Sequence, residues 1–198
     1  LRALAMQALS RFHYDGNVKR AVTTLQVVRN GIKNHDESFL SAALTTVFAL
    51  TAIDQVVEDE CRELVGQILE TPNDFVIRTA AKLLMMERSS APESIVSILL
   101  IKFRDVNPSD NEAINFISLG LGHLLTVGKV EDVFGLIEFL LSKHSVDLSM
   151  SNFEHLIWIL DKPENTILRQ RIITRWLLSG KNKLCSSAVQ LVSLKQGS

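Results

Sequence analysis

Val130-Glu131-Asp132-Val133-Phe134-Gly135-Leu136-Ile137-Glu138-Phe139-Leu140-Leu141 decides the fold class. Its apolar positions Val130, Val133, Phe134, Ile137, Leu140 and Leu141 recur at i, i+3, i+4 and i+7, which lays one stripe along one face of an α-helix. The same period governs Leu1, Leu4, Ala5, Ala8, Leu9 and Phe12, then Val57, Cys61, Leu64, Val65 and Ile68, then Phe153, Leu156, Ile157 and Leu160. Strict alternation never persists long enough to argue for a strand, so an all-α fold is expected.

Turn residues fall between the stripes, at Asp15-Gly16-Asn17, Asn30-Gly31, Thr71-Pro72, Ala91-Pro92, Asn107-Pro108, Gly128, Lys162-Pro163 and Ser179-Gly180. Ser109-x-x-Glu112 and Ser151-x-x-Glu154 read as capping boxes, in which serine and glutamate each satisfy a backbone N–H at a helix start. Loops of a few residues make neighbouring helices antiparallel. The stripes group as pairs, 1–14 with 17–33, 37–52 with 54–70, 73–88 with 92–105, 109–127 with 129–143, and 149–161 with 164–179. A last helix from about 181 brings the total to about eleven. The second helices end at intervals of about 35 to 38 residues, in the range of helix-pair repeats.

Within this pattern, Asn73-Asp74-Phe75-Val76-Ile77-Arg78-Thr79-Ala80-Ala81-Lys82-Leu83-Leu84 resembles the HEAT repeat, with its Asp, Val and Arg followed by small and large apolar residues. Leu1-Arg2-Ala3-Leu4-Ala5-Met6-Gln7-Ala8-Leu9 is a weaker echo. The resemblance to HEAT and armadillo-like proteins implies a ladder of Asp and Arg between adjacent repeats, and alanines that allow close helix crossing. It implies an α-solenoid, a right-handed superhelical stack of antiparallel helix pairs forming one repeat domain over 1–198. Physical logic agrees, because one helix pair cannot bury both its apolar faces without a neighbour on each side. Ile95, Val96, Ile98, Leu99, Leu100, Ile101 and Phe103 make a helix apolar nearly all round, expected to be covered on both sides.

Composition fits a globular chain of 198 residues, 46% hydrophobic and 22% charged. A start at Leu1 rather than Met raises the expectation of a piece cut from a longer protein. Cys61 and Cys185 are the only cysteines, without metal-ligand or disulfide spacing, and are expected as buried thiols in an intracellular, cytoplasmic setting. No run of about 18 apolar residues argues for membrane insertion.

Residues that carry chemistry are sparse. No phosphate-binding loop, HExxH helix, EF-hand loop or GxSxG elbow occurs, so no cofactor or metal is expected. Gly120-Leu121-Gly122 lies inside a helical stripe, where the glycines permit close packing or a kink. His13, His35, His123, His144 and His155 are scattered without ligand spacing. One enzymatic reading exists, since some helical-repeat proteins resembling this architecture are DNA glycosylases that hold a cationic base between aromatics and a carboxylate. Its candidates are Trp158, Asp161, Arg175 and Trp176. Against it, Trp176 shares a face with Ile172, Ile173 and Leu177, and Trp158 lies beside Ile157 and Ile159, as core aromatics do.

Charge is more informative. A net of −1 divides into +6 and −1 over residues 1–35, +8 and −20 over 36–161, and +7 and −1 over 162–198. In a linear stack this separation survives folding. The expectation is a noncatalytic interaction or scaffold module for a protein or peptide partner, with Asp54, Glu58, Asp59, Glu60 and Glu63 as an acidic surface for a basic partner. The alternative is nucleic-acid binding through Arg169, Arg171, Arg175, Lys181 and Lys183. An acidic middle and a pI near 6.6 weigh against it.

Overall fold

A computed structural model describes the chain except residues 13, 35, 71–72, 87–90, 145–146 and 194–198. His13, His35, the Thr71-Pro72 turn and the last two positions of the helix expected over 73–88 lie outside the described residues. All eleven expected helices are present: α1 (Arg2–Ser10), α2 (Val18–Gly31), α3 (Glu37–Leu50), α4 (Gln55–Ile68), α5 (Asp74–Met86), α6 (Glu93–Lys102), α7 (Asn111–Thr126), α8 (Val130–Lys143), α9 (Glu154–Leu160), α10 (Thr166–Leu178) and α11 (Asn182–Ser193). Short 3-10 turns stand at Ile32–Asn34, Phe103–Asp105, Met150–Asn152 and Pro163–Asn165. No strand occurs among the described residues.

Packing divides the chain into two compact units, Leu1–Asp105 and Val106–Ser198. In the first, α1 packs on α3 and α3 on α5, while α2 packs on α4 and α4 on α6, so each helix lies against the one two elements on. In the second, α7 packs on α9 and on α8, and α11 packs on both α8 and α10.

Helix starts are set by side chains that accept from otherwise unpaired N–H groups. Asn17 accepts from Arg20 N at 3.1 Å, Asp36 from Phe39 N at 2.7 Å, Asp54 from Val56 N at 2.9 Å and Asn73 from Val76 N at 3.1 Å. The two expected capping boxes are displaced. Asp110, not Ser109, caps α7 by accepting from Ala113 N at 3.0 Å, because the Asn107 side chain accepts from Ser109 N and holds that residue in the preceding turn. Ser149 and Asn152 form a capping box on the 3-10 turn before α9, and α9 starts after Phe153 with no side-chain cap. At the other end of α7, Gly128 has φ +87°. There Lys129 N donates to Leu124 O and Gly128 N to Leu125 O, the Schellman closure that needs a left-handed residue.

Most stripes are buried as read. Val57, Cys61, Leu64, Val65 and Ile68 line the covered face of α4, and Val133, Phe134, Ile137, Leu140 and Leu141 that of α8. Each such side chain contributes about 1.5–3 kcal/mol when removed from water.

Two stripes depart from the reading. On α1 only Met6 is buried, while Leu1, Leu4 and Phe12 are exposed, because the helix meets α3 through the Met6 side, where Thr46 Oγ1 donates to Met6 O at 2.9 Å. The helix expected to be covered all round, α6, buries Ile95, Leu99 and Leu100 but leaves Ile101 57% exposed.

Gly122 shows why α7 and α9 can lie close. A Cβ there would meet His155 Cδ2 at 2.6 Å and Ile159 Cδ1 at 2.7 Å. Gly122→Ala should therefore cost about 1–2 kcal/mol through overpacking despite its gain in helix propensity. Gly135→Ala in α8, where a new Cβ meets nothing within 4 Å, should be neutral or stabilise by up to about 1 kcal/mol. Urea denaturation of the two variants checks the opposite signs.

Candidate functional site

The acidic residues of α4 do different jobs. Asp54 is spent as the N-cap. Glu58 accepts from Ser94 Oγ on α6 at 3.2 Å. Glu63 takes a two-pronged contact from Arg29 on α2, at 3.3 and 3.1 Å, and also accepts from Gln67 Nε2 at 2.9 Å. Asp59 pairs with Arg62 at 3.5 Å along the helix. Glu60 is half-buried. Because Asp59 and Glu63 keep more than half of their side-chain surface in water, their ion pairs hold them loosely, at about 0.2–1 kcal/mol each. These two can exchange partners. Glu58 and Asp54 are tied to the fold.

Beneath them, Cys61 is fully buried, and its thiol is pushed up to about 12 by burial, with the Glu60 and Glu58 charges adding to the effect. It is inert as a nucleophile near neutrality. Cys185, expected to be buried, is only half-buried, with its Sγ 3.5 Å from Trp176 O.

The arginines proposed for phosphate are engaged inside the second unit. Arg169 is buried, pairs with Asp161 and donates to Leu191 O. Arg171 pairs with Glu131, and Arg175 donates to Glu131 at 2.7 Å and to Glu138 at 3.0 Å. Glu138 also accepts from Trp176 Nε1 at 2.9 Å, and the Trp176 ring meets Phe134 edge-on, with centroids 6.1 Å apart. The result is a polar clamp from α8 to α10 over an aromatic base. Arg175 hydrogen bonding, reinforced by the Arg175 and Arg171 charges, lowers the Glu131 carboxyl below its ordinary value, while Glu131 holds Arg175 above its own. Lys181 is exposed and Lys183 is half-buried.

The glycosylase-like constellation does not assemble. Trp176 is fully buried, whereas Trp158, read as a core aromatic, is 57% exposed on α9. Trp158 stacks with His155 at 5.3 Å and carries Lys162 Nζ 4.1 Å from its ring centroid. Asp161 is occupied by Arg169. The two tryptophans share no surface on which a base could be held.

Among the described residues no group of three or more His, Cys, Asp or Glu side chains is placed to hold a metal ion. Among the same residues no helix is long and apolar enough to cross a membrane. The chain matches no protein-family model, no curated protein and no solved structure.

The clamp was missed in the sequence although its signal is there. Glu131 and Glu138 are spaced i, i+7 on one face of α8, and Arg171 and Arg175 are spaced i, i+4 on α10, the helix they meet.

Two outcomes follow. The Glu131 carboxyl should titrate below the ordinary 4.5, so its contribution to stability is present above that value and fades as pH falls through the lowered pKa. Side-chain carboxyl NMR should show it rise toward its ordinary value in Arg175→Ala, with Arg171 still holding it partly down. For Cys61, the folded state keeps the proton that the unfolded chain loses above about 9, so stability should fall as pH rises from 9 toward 12. A thiol reagent at neutral pH should label Cys185 in the folded protein and Cys61 only on unfolding; labelling of both at equal rates would contradict the burial.

Proposed function

We propose that the chain is a noncatalytic interaction module built like a HEAT or armadillo α-solenoid, whose stacked helix pairs present a protein- or peptide-binding surface. The observation that supports it is the spacing of the polar ties between helices. In the first unit they join Arg29 to Glu63, Asn73 to Glu37, Ser94 to Glu58 and Thr79 to Ser41, at separations of 34, 36, 36 and 38 residues. In the second they join Leu156 to Ser118, Gln190 to Met150 and Arg175 to Glu138, at 38, 40 and 37 residues. A tie that recurs one repeat on, across different residue types, is how stacked helix pairs hold one another.

Such a scaffold leaves one side of each helix to solvent. On α4 that side carries Asp59 and Glu63, the acidic residues whose ion pairs are exposed and exchangeable. A Lys- or Arg-rich segment is the complement, with charge setting encounter rate and orientation.

The test is quantitative capture of partners from an extract of the native cell by the chain and by its Asp59→Lys/Glu63→Lys variant, with circular dichroism melting as the folding control. Loss of bound proteins from the variant with a melting shift of only a few degrees is the expected result. Identical partners on both would sink the acidic surface. Salt-sensitive binding of duplex DNA or single-stranded RNA by the unmodified chain would favour the nucleic-acid alternative instead.

A further inference from the structure

We propose that the α1–α2 end of the first unit is a docking groove for an acidic amphipathic helix of a partner protein. Two adjoining pockets, of about 330 and 380 Å³, open there and share Leu9 as a common wall. One is walled by Phe12 and Tyr14 and rimmed by Lys19 and Arg20; the other is walled by Met6, Val27 and Phe39 and rimmed by Arg2. Phe12 is half exposed, meets Tyr14 edge-on at 5.4 Å, and has the Arg20 guanidinium 5.9 Å from its ring centroid. The aromatic wall is thus built in place, and its cation is already poised over it.

Arg29, Arg62, Arg169, Arg171 and Arg175 each hold a carboxylate. Arg2, Arg11, Lys19 and Arg20 pair with none among the described residues, and Asp15 is the single acidic residue in the first 35. Arginine surrounded by apolar surface and lacking a carboxylate is complementary to one that arrives with an apolar anchor.

The concavity selects the occupant. Two pockets between neighbouring helices accept large apolar side chains spaced as on one face of a helix, with acidic residues flanking them to meet the rim. A polynucleotide would answer the cations but leave the apolar pockets empty, and a flat lipid surface cannot enter them. The inference rests on reading the fold as an interaction module, but it uses a surface distinct from the acidic side of α4.

Fluorescence anisotropy of the full chain with a labelled peptide, Leu and Phe on one helical face and Glu on the other, tests it. Binding should weaken as salt rises, fall by about tenfold or more in Lys19→Glu/Arg20→Glu, and fall comparably in Phe12→Ser. It should be unchanged in Val189→Ser, an exposed apolar control on α11. Because the residues reversed here lie on α1 and α2 and the probe is acidic, failure here does not count against the acidic surface of α4, and the reverse also holds. Equal affinity for the otherwise identical peptide with Lys in place of Glu, or no effect of reversing Lys19 and Arg20, would overturn the proposal. So would binding of phosphatidylserine vesicles without binding of the peptide, or self-association of the chain abolished by the same reversal.

Discussion

A helix with one apolar face is stable only when another helix covers that face, and a pair of short antiparallel helices cannot supply all the cover it needs. In this chain much of the cover comes from the helix two elements on. The α2–α4–α6 and α1–α3–α5 contacts in the first unit, and α7 on α9 in the second, are the direct result. The polar ties follow from the same constraint. Once two helices are pressed together by their apolar stripes, the polar residues beside the stripes face each other and pair. Serine, asparagine and arginine serve equally, as Ser94–Glu58, Asn73–Glu37 and Arg29–Glu63 show.

This explains which parts of the structure were readable in advance. Helix existence depends on a local period and local turn residues, so all eleven helices could be located from the chain alone. The close approach at Gly122 was readable too, since a glycine inside a strong stripe calls for a packing reason. Which edge of a stripe is covered depends on the neighbour. The α1 stripe from Leu1 to Phe12 has correct helical spacing, yet α3 meets the helix through Met6, one position around. Trp158 and Trp176 make the same point, because both sit among isoleucines and only the partner helix distinguishes the exposed ring from the buried one. The capping boxes failed for a more local reason. Asn107 accepts from the Ser109 N–H that the Glu112 side chain would take in a capping box, and Asp110, one position later, caps the helix by accepting from Ala113 N.

Charge required a different kind of reasoning. Counting along the chain places basic residues at both ends, and by count the two ends look alike. In the fold they do not. Arg171 and Arg175 on α10 meet Glu131 and Glu138 on α8, so their charge is consumed in the clamp over Trp176 and Phe134. Arg169 goes further and fills a position of the buried stripe with Ile172 and Trp176, where Asp161 and the Leu191 carbonyl accept its protons. A buried guanidinium with two partners is a structural element, and replacing Asp161 leaves its charge with a main-chain carbonyl but no carboxylate.

The difference between the two basic segments therefore lies in the helices they pack against, which composition does not weigh. Among the described residues Arg2, Arg11, Lys19 and Arg20 meet no carboxylate, while Arg29, at the far end of α2, finds Glu63. Within α2 the fold thus separates Arg29, which has a carboxylate partner, from Lys19 and Arg20, which lie beside exposed aromatic surface. A cation close to Phe12 gains little from the ring while both remain wet, and gains more once an apolar side chain excludes water from the pocket. Helix packing that neutralises charge in the second unit leaves it available at the α1–α2 end of the first, next to the pockets where apolar contact can strengthen it.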